Sequence, residues 1–164
     1  GFEIFLDLKL HDIPNTVANS VRKISNFNVA LTTIHLNGGK DMIEAASSEK
    51  GNIKILGVSI LTSLSENDIF EITHTEFDAY FNNLISIASN TNVDGVVCSP
   101  NELDKLKNFN KLKVVPGIRN DISDDDQKRV MSPMEAYKKG ADFIVVGRPI
   151  TKSEDPRKAL ELFL

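Results

Sequence analysis

The chain has 164 residues, enough for one domain with a core of its own, and 23 acidic against 19 basic residues give a formal charge of −4. No basic cluster suits nucleic acid, no apolar run reaches membrane-spanning length and no signal-peptide pattern opens the chain. A cytoplasmic globular protein with neither nucleic-acid nor membrane partner is therefore expected, and the single cysteine, Cys98, excludes an internal disulfide and a cysteine-based zinc site.

Six short apolar runs rich in β-branched residues, 3–8, 30–36, 53–61, 93–99, 113–118 and 142–147, read as strands. They are continuous rather than alternating, as parallel strands covered on both faces are. Amphipathic stretches separate them. Residues 15–27 repeat Val17, Val21 and Ile24 at helical spacing; 40–48 carry Met42, Ile43, Ala45 and Ala46; 77–89 carry Phe77, Phe81, Leu84, Ile85 and Ala88. A short stretch at 101–107 presents Leu103 and Leu106, and 132–139 lead into Gly140, a C-cap residue. Residues 155–164 place Pro156 in a first turn, with Ala159, Leu160 and Phe163 as the apolar face. Strands alternating with helices predict a parallel α/β sheet with right-handed crossovers.

Polar residues gather where these strands end: Asp7 and Lys9, His35 and Asn37, Thr62 and Ser63, Ser99, Arg119 and Arg148. In a (β/α)8 TIM barrel such ends converge on one mouth, whereas an open sheet concentrates its chemistry at a switch point. A barrel has eight strands and about 250 residues. The expectation is thus a single barrel domain, 1–164, truncated at the N-terminus, with the six runs as strands three to eight. The abrupt start in a strand, with no initiator Met, agrees with it.

Three ionisable groups stand out in the first run. Asp7 and Lys9 are two apart and share a strand face, opposite Leu6, Leu8 and Leu10; Asp12 follows before Pro14 in a turn. Opposite charges on a core strand are costly unless they pair or do chemistry. A lysine among carboxylates stays protonated, which suits a proton donor and not a Schiff-base nucleophile. The bland alternative is an ion pair bracing a loop. Val115-Pro116-Gly117-Ile118-Arg119 ends another strand and opens an acidic segment to residue 129, read as a lid with Arg119 or Gln127 reaching an anionic group. Gly147-Arg148 after the last strand suits a phosphate. Thr62 and Ser63 could meet a heterocycle or cap the next helix. His35 reads as a hydrogen-bonded structural group. His11, His35 and His74 lie on different elements, so no metal site is expected.

Asp7-Leu8-Lys9-Leu10-His11-Asp12-Ile13-Pro14-Asn15-Thr16 closely resembles the signature of the orotidine 5′-phosphate decarboxylase family. Leu61-Thr62-Ser63, Pro116-Gly117-Ile118-Arg119, Asp126-Gln127 and Gly147-Arg148-Pro149 recur in the same order. The resemblance implies a homodimeric barrel that converts orotidine 5′-monophosphate to UMP and CO2 without metal or organic cofactor. It sets Asp7 against the substrate carboxylate and Lys9 as the proton donor to the carbon that loses CO2. Asp12, with Ile13 and Thr16, would serve the partner subunit's site; Thr62 would touch the pyrimidine, and Pro116, Arg119, Gln127, Gly147 and Arg148 would serve the phosphate region. In two respects the chain departs from the family: it lacks the aspartate and the lysine supplied by the family's first two strands, and the segment between Arg119 and Gln127 is shorter. The alternatives are a metal-dependent sugar-phosphate decarboxylase or synthase with the same Asp-x-Lys-x-x-Asp pattern, and an inactive barrel fragment.

Overall fold

A computed structural model describes residues 1–119 and 131–163, which divide into two compact units, 1–97 and 98–164. The expected alternation is present in both, and all the paired strands run parallel.

The first unit holds β1 (Phe5–Leu10), α1 (Pro14–Ile24), β2 (Leu31–His35), α2 (Gly39–Ser48), β3 (Lys54–Val58), α3 (Glu66–Thr73), α4 (Phe77–Ser89) and β4 (Gly95–Val97), paired in chain order. β2 and β3 run in unbroken register from Leu31↔Lys54 to His35↔Val58. Their side chains Thr32, Thr33, Ile34, Ile55, Leu56 and Val58 are buried, as a doubly covered sheet requires. Helix α1 turns Val17, Ala18, Val21 and Ile24 inward, and α2 turns Met42, Ile43 and Ala46. Phe77, Phe81, Leu84 and Ala88 of α4 complete the layer. All but Ala18 are positions that the helical spacing picks out, whereas Ala45 and Ile85, also picked out, are only partly buried. At the surface, Arg22 grips Glu49 through two bonds of 2.7 and 2.8 Å.

Asp94 ties β3 to the start of β4. Its Oδ2 accepts from the Ile55 N–H at 2.8 Å and from Lys50 Nζ at 2.7 Å, so a carboxylate at the sheet margin satisfies both a backbone donor and a cation. Gly57 allows the Leu36 side chain to cross β3; a Cβ there would lie 2.3 Å from Leu36 Cδ2.

Three details depart from the sequence-based reading. The first strand lies two residues later than expected, and the third stops at Val58. Thr62 and Ser63 fall in an exposed turn beyond it and do not cap a helix. The cap is Ser65, which opens α3, an element without a strong apolar stripe, in a reciprocal box with Asp68.

The second unit pairs β5 (Leu112–Pro116) with β6 (Phe143–Val145), followed by α6 (Arg148–Thr151) and α7 (Pro156–Glu161); α5 (Pro133–Lys138) precedes β6. Residues Pro100–Leu106 wind as a 3-10 helix rather than an α-helix. Ser99, one of the polar residues noted at the strand ends, is its N-cap. It is fully buried, and its N–H donates to Glu102 Oε2 at 2.9 Å. Cys98 beside it is 1% exposed, and burial pushes its thiol far up, with the Glu102 charge adding to the shift. Gly140 ends α5 with φ of 92°, the left-handed cap that the sequence predicts. Ala159, Leu160 and Phe163 are only partly covered among the described residues, fewer contacts than a core face implies.

Candidate active site

The site starts from a disturbance in β1. Phe5 and Leu6 pair with Leu31 and Thr32, but the next partner of β2, Ile34, belongs to Leu10. Four steps along β1 thus face two along β2, an irregular bulge that removes ladder bonds between the strands. Two neighbouring threonines on β2 take up the backbone groups that result. Thr32 Oγ1 donates to the Leu6 carbonyl at 2.9 Å, and Thr33 Oγ1 accepts from the Lys9 N–H at 2.8 Å.

Lys9 itself has φ of 51°, left-handed backbone that costs a non-glycine residue about 1–2 kcal/mol. The bulge aims its side chain at Asp7: Nζ lies 2.5 Å from Oδ2. The other oxygen, Oδ1, accepts from Thr33 Oγ1 at 2.7 Å. Asp7 and Lys9 are therefore brought together as the sequence requires, but not on a greasy buried strand. Their side chains are 44% and 38% exposed, and Leu8 between them is 49% exposed. An ion pair this open contributes about 0–1 kcal/mol, less than the backbone conformation costs. The arrangement holds an ammonium and a carboxylate in one place at the expense of stability, a pattern typical of functional sites.

His35, at the end of β2, stacks obliquely near His11, with ring centroids 5.4 Å apart. Burial lowers the His35 pKa; the neighbouring His11 and Lys9 lower it further, and Asp7 opposes them. The Lys9 ammonium is thus among the charges that disfavour protonation of His35. Asp12 turns to its own loop, with Oδ1 accepting from the Ile13 N–H at 2.7 Å at the mouth of α1. Asp12, Ile13 and Thr16 are all exposed there, and Thr62 is exposed after β3.

In the second unit, Pro116 and Val145 are register partners, so the segments after β5 and β6 leave the sheet side by side. Gly117, with φ of 80°, turns the chain after β5, and the Arg119 N–H donates to the Met131 carbonyl at 3.1 Å. Arg119 is buried, Arg148 is partly buried, and Gly147 is exposed with open space where a Cβ would lie. Gln127 and the acidic stretch read as a lid lie outside the described residues.

A family model described as "Orotidine 5'-phosphate decarboxylase / HUMPS family" matches residues 1–163. The chain belongs to this family. Among the relatives of this orotidine 5′-phosphate decarboxylase / HUMPS chain is a protein of Aquifex aeolicus named orotidine 5′-phosphate decarboxylase. It is 48% identical over 98% of this chain and 72% of its own length. A namesake from Ehrlichia chaffeensis is 45% identical over 98% of this chain and 73% of its own. The crystal structure of orotidine 5′-phosphate decarboxylase from Lactobacillus acidophilus superposes with a TM-score of 0.86 at 36% identity, over 99% of this chain and 74% of that one. The Asp7–Lys9 pair thus stands in a chain whose family and fold neighbours agree with the signature at 7–16.

The sequence reading missed Thr33, whose hydroxyl touches both Asp7 and the backbone of Lys9. The available signal was the Thr32-Thr33 doublet, two hydroxyls in the middle of an apolar strand.

Proposed function

We infer that the chain is an orotidine 5′-phosphate decarboxylase, a carboxy-lyase that converts orotidine 5′-monophosphate to UMP and CO2 in pyrimidine synthesis. The observation that carries this reading is the strained, bulge-borne Lys9 held 2.5 Å from Asp7, in a chain 48% and 45% identical to two proteins of that name. Asp7 lies against the substrate carboxylate and repels it. The bond from the ring carbon to the carboxyl carbon breaks, CO2 leaves, and the electron pair stays on the ring. The Lys9 ammonium stabilises that pair and then gives it a proton, and the neutral amine regains one from water. No redox change occurs and no electron acceptor is required. Thr62 contacts the pyrimidine, while Pro116, Arg119, Gln127, Gly147 and Arg148 serve the phosphate, whose binding energy positions the ring at Lys9.

The same reading takes the strands as strands three to eight of a single (β/α)8 domain. Asp12, Ile13 and Thr16 complete the site of a second copy in a homodimer, and the enzyme works in the cytoplasm. Exposure of Asp12, Ile13 and Thr16 supports a role towards another copy. Two relatives named orotidine 5′-phosphate decarboxylase, 48% and 45% identical, favour this reading over the metal-dependent sugar-phosphate enzymes.

The test is the absorbance loss of orotidine 5′-monophosphate on adding the native full-length protein, with and without a chelator. Turnover that survives chelation and disappears in Lys9→Ala is the expected result. A Lys9→Ala protein as fast as wild type, or activity restored only by magnesium, would refute it.

A further inference from the structure

We infer that Thr33 is a positioning residue for the Asp7–Lys9 pair, through a hydroxyl that fixes the side chain of one and the backbone of the other. The inference rests on the decarboxylase reading and extends it to a residue with no ionisable group.

The direction of both bonds follows from the atoms. The Lys9 N–H can only donate, so Thr33 Oγ1 accepts at 2.8 Å. Its one proton then points to Asp7 Oδ1, 2.7 Å away, and an ionised carboxylate can only accept. A single hydroxyl thus spans a backbone donor of Lys9 and a carboxylate oxygen of Asp7. The Lys9 ammonium closes the ring on Oδ2. Rotating the carboxylate would break the Thr33 bond, and letting Lys9 leave its left-handed conformation would break the N–H bond.

Thr33 is itself well held. It is fully buried in β2, between register partners that continue unbroken into β3. Being β-branched, it has little rotamer freedom, so the hydroxyl direction is set by the strand. The pair it serves is more than a third exposed on each side and would otherwise sample several rotamers. A rigid hydroxyl under a solvent-facing pair is the kind of support that preorganised charge requires.

Thr33→Val keeps the shape and removes both bonds; Thr33→Ser keeps the hydroxyl. In the full-length protein, Thr33→Val is expected to lower kcat by about 10–100-fold, as loss of one hydrogen bond to a charged group implies. KM should stay within about threefold, because the substrate's remote contacts persist. Thr33→Ser should return kcat to within about threefold of wild type. A Thr33→Val kcat within about twofold of wild type overturns the inference, as does a loss confined to KM, or a Thr33→Ser protein as slow as Thr33→Val. Thr33→Ala is measured alongside; if neither it nor Thr33→Val folds, the hydroxyl belongs to the fold and the inference fails. A wild-type protein that does not consume orotidine 5′-monophosphate sinks the decarboxylase reading instead, a different result from an active wild type with an indifferent Thr33→Val.

Discussion

Lys9 offers a way to separate what its backbone does from what its ammonium does. Lys9→Ala and Lys9→Gly both delete Nζ and with it the bond to Asp7, so that loss cancels when the two are compared. What remains is the backbone at φ 51°. Alanine keeps the Cβ and its clash with the carbonyl, about 1–2 kcal/mol; glycine is free of it. Glycine also gives the unfolded chain more freedom, which takes back about 0.4–1 kcal/mol. The difference leaves Lys9→Gly more stable than Lys9→Ala by about 0.8 kcal/mol, within a range of about 0–1.6. Urea unfolding followed by circular dichroism resolves that as a higher midpoint at an unchanged slope. Both proteins should lack decarboxylation. A more stable alanine variant would mean that the left-handed turn is not what the folded protein adopts in solution. An active glycine variant would mean that the chemistry does not need Nζ.

Two further outcomes follow from the packing and from the imidazole beside the site. Gly57→Ala should destabilise by about 1–3 kcal/mol, because the new methyl meets the buried Leu36 side chain. Leu36→Val should cost less in the Gly57→Ala background than in the wild type, and additive midpoint shifts would show that the two side chains do not compete for that space. Burial, His11 and Lys9 hold the His35 pKa below its unfolded value of 6.5. The unfolded chain therefore takes up a proton first as pH falls, so this contribution to stability is complete above 6.5 and is lost progressively below it. His35→Gln should narrow the gap between urea midpoints measured at about pH 5 and pH 7; an unchanged gap would mean that His35 titrates as freely in the folded protein as in the unfolded one.

The parts of this fold that rest on periodicity were legible. The stretch 77–89 was read to the residue, because Phe77, Phe81, Leu84 and Ala88 repeat at helical spacing. Gly140 and Pro156 were legible because each residue type suits one backbone position. The bulge in β1 was not. A period-two reading assumes a regular strand, and no glycine or asparagine marks the left-handed residue, which is a lysine. The same assumption made Leu8 look buried and the charge pair look costly. Helix α3 was overlooked because its buried face is a single residue, Ile69, although Ser65 and Asp68 stand at capping-box spacing before it. Thr33 escaped because attention to ionisable groups passes over a hydroxyl whose role depends on which strand lies beside it. The signature at 7–16 carried the family, and the physical reading of those residues carried the Asp7–Lys9 contact.

The buried Cys98 has a practical consequence. It is the only cysteine in the sequence, and burial keeps its thiol protonated and out of reach. These 164 residues are therefore already a silent background for thiol chemistry. Within these residues a cysteine introduced in the exposed turn at Ser63 would take a fluorophore at one place only, with no prior removal of Cys98. Movement near the end of β3 could then be followed while nucleotide is added, with every other position of this sequence unchanged.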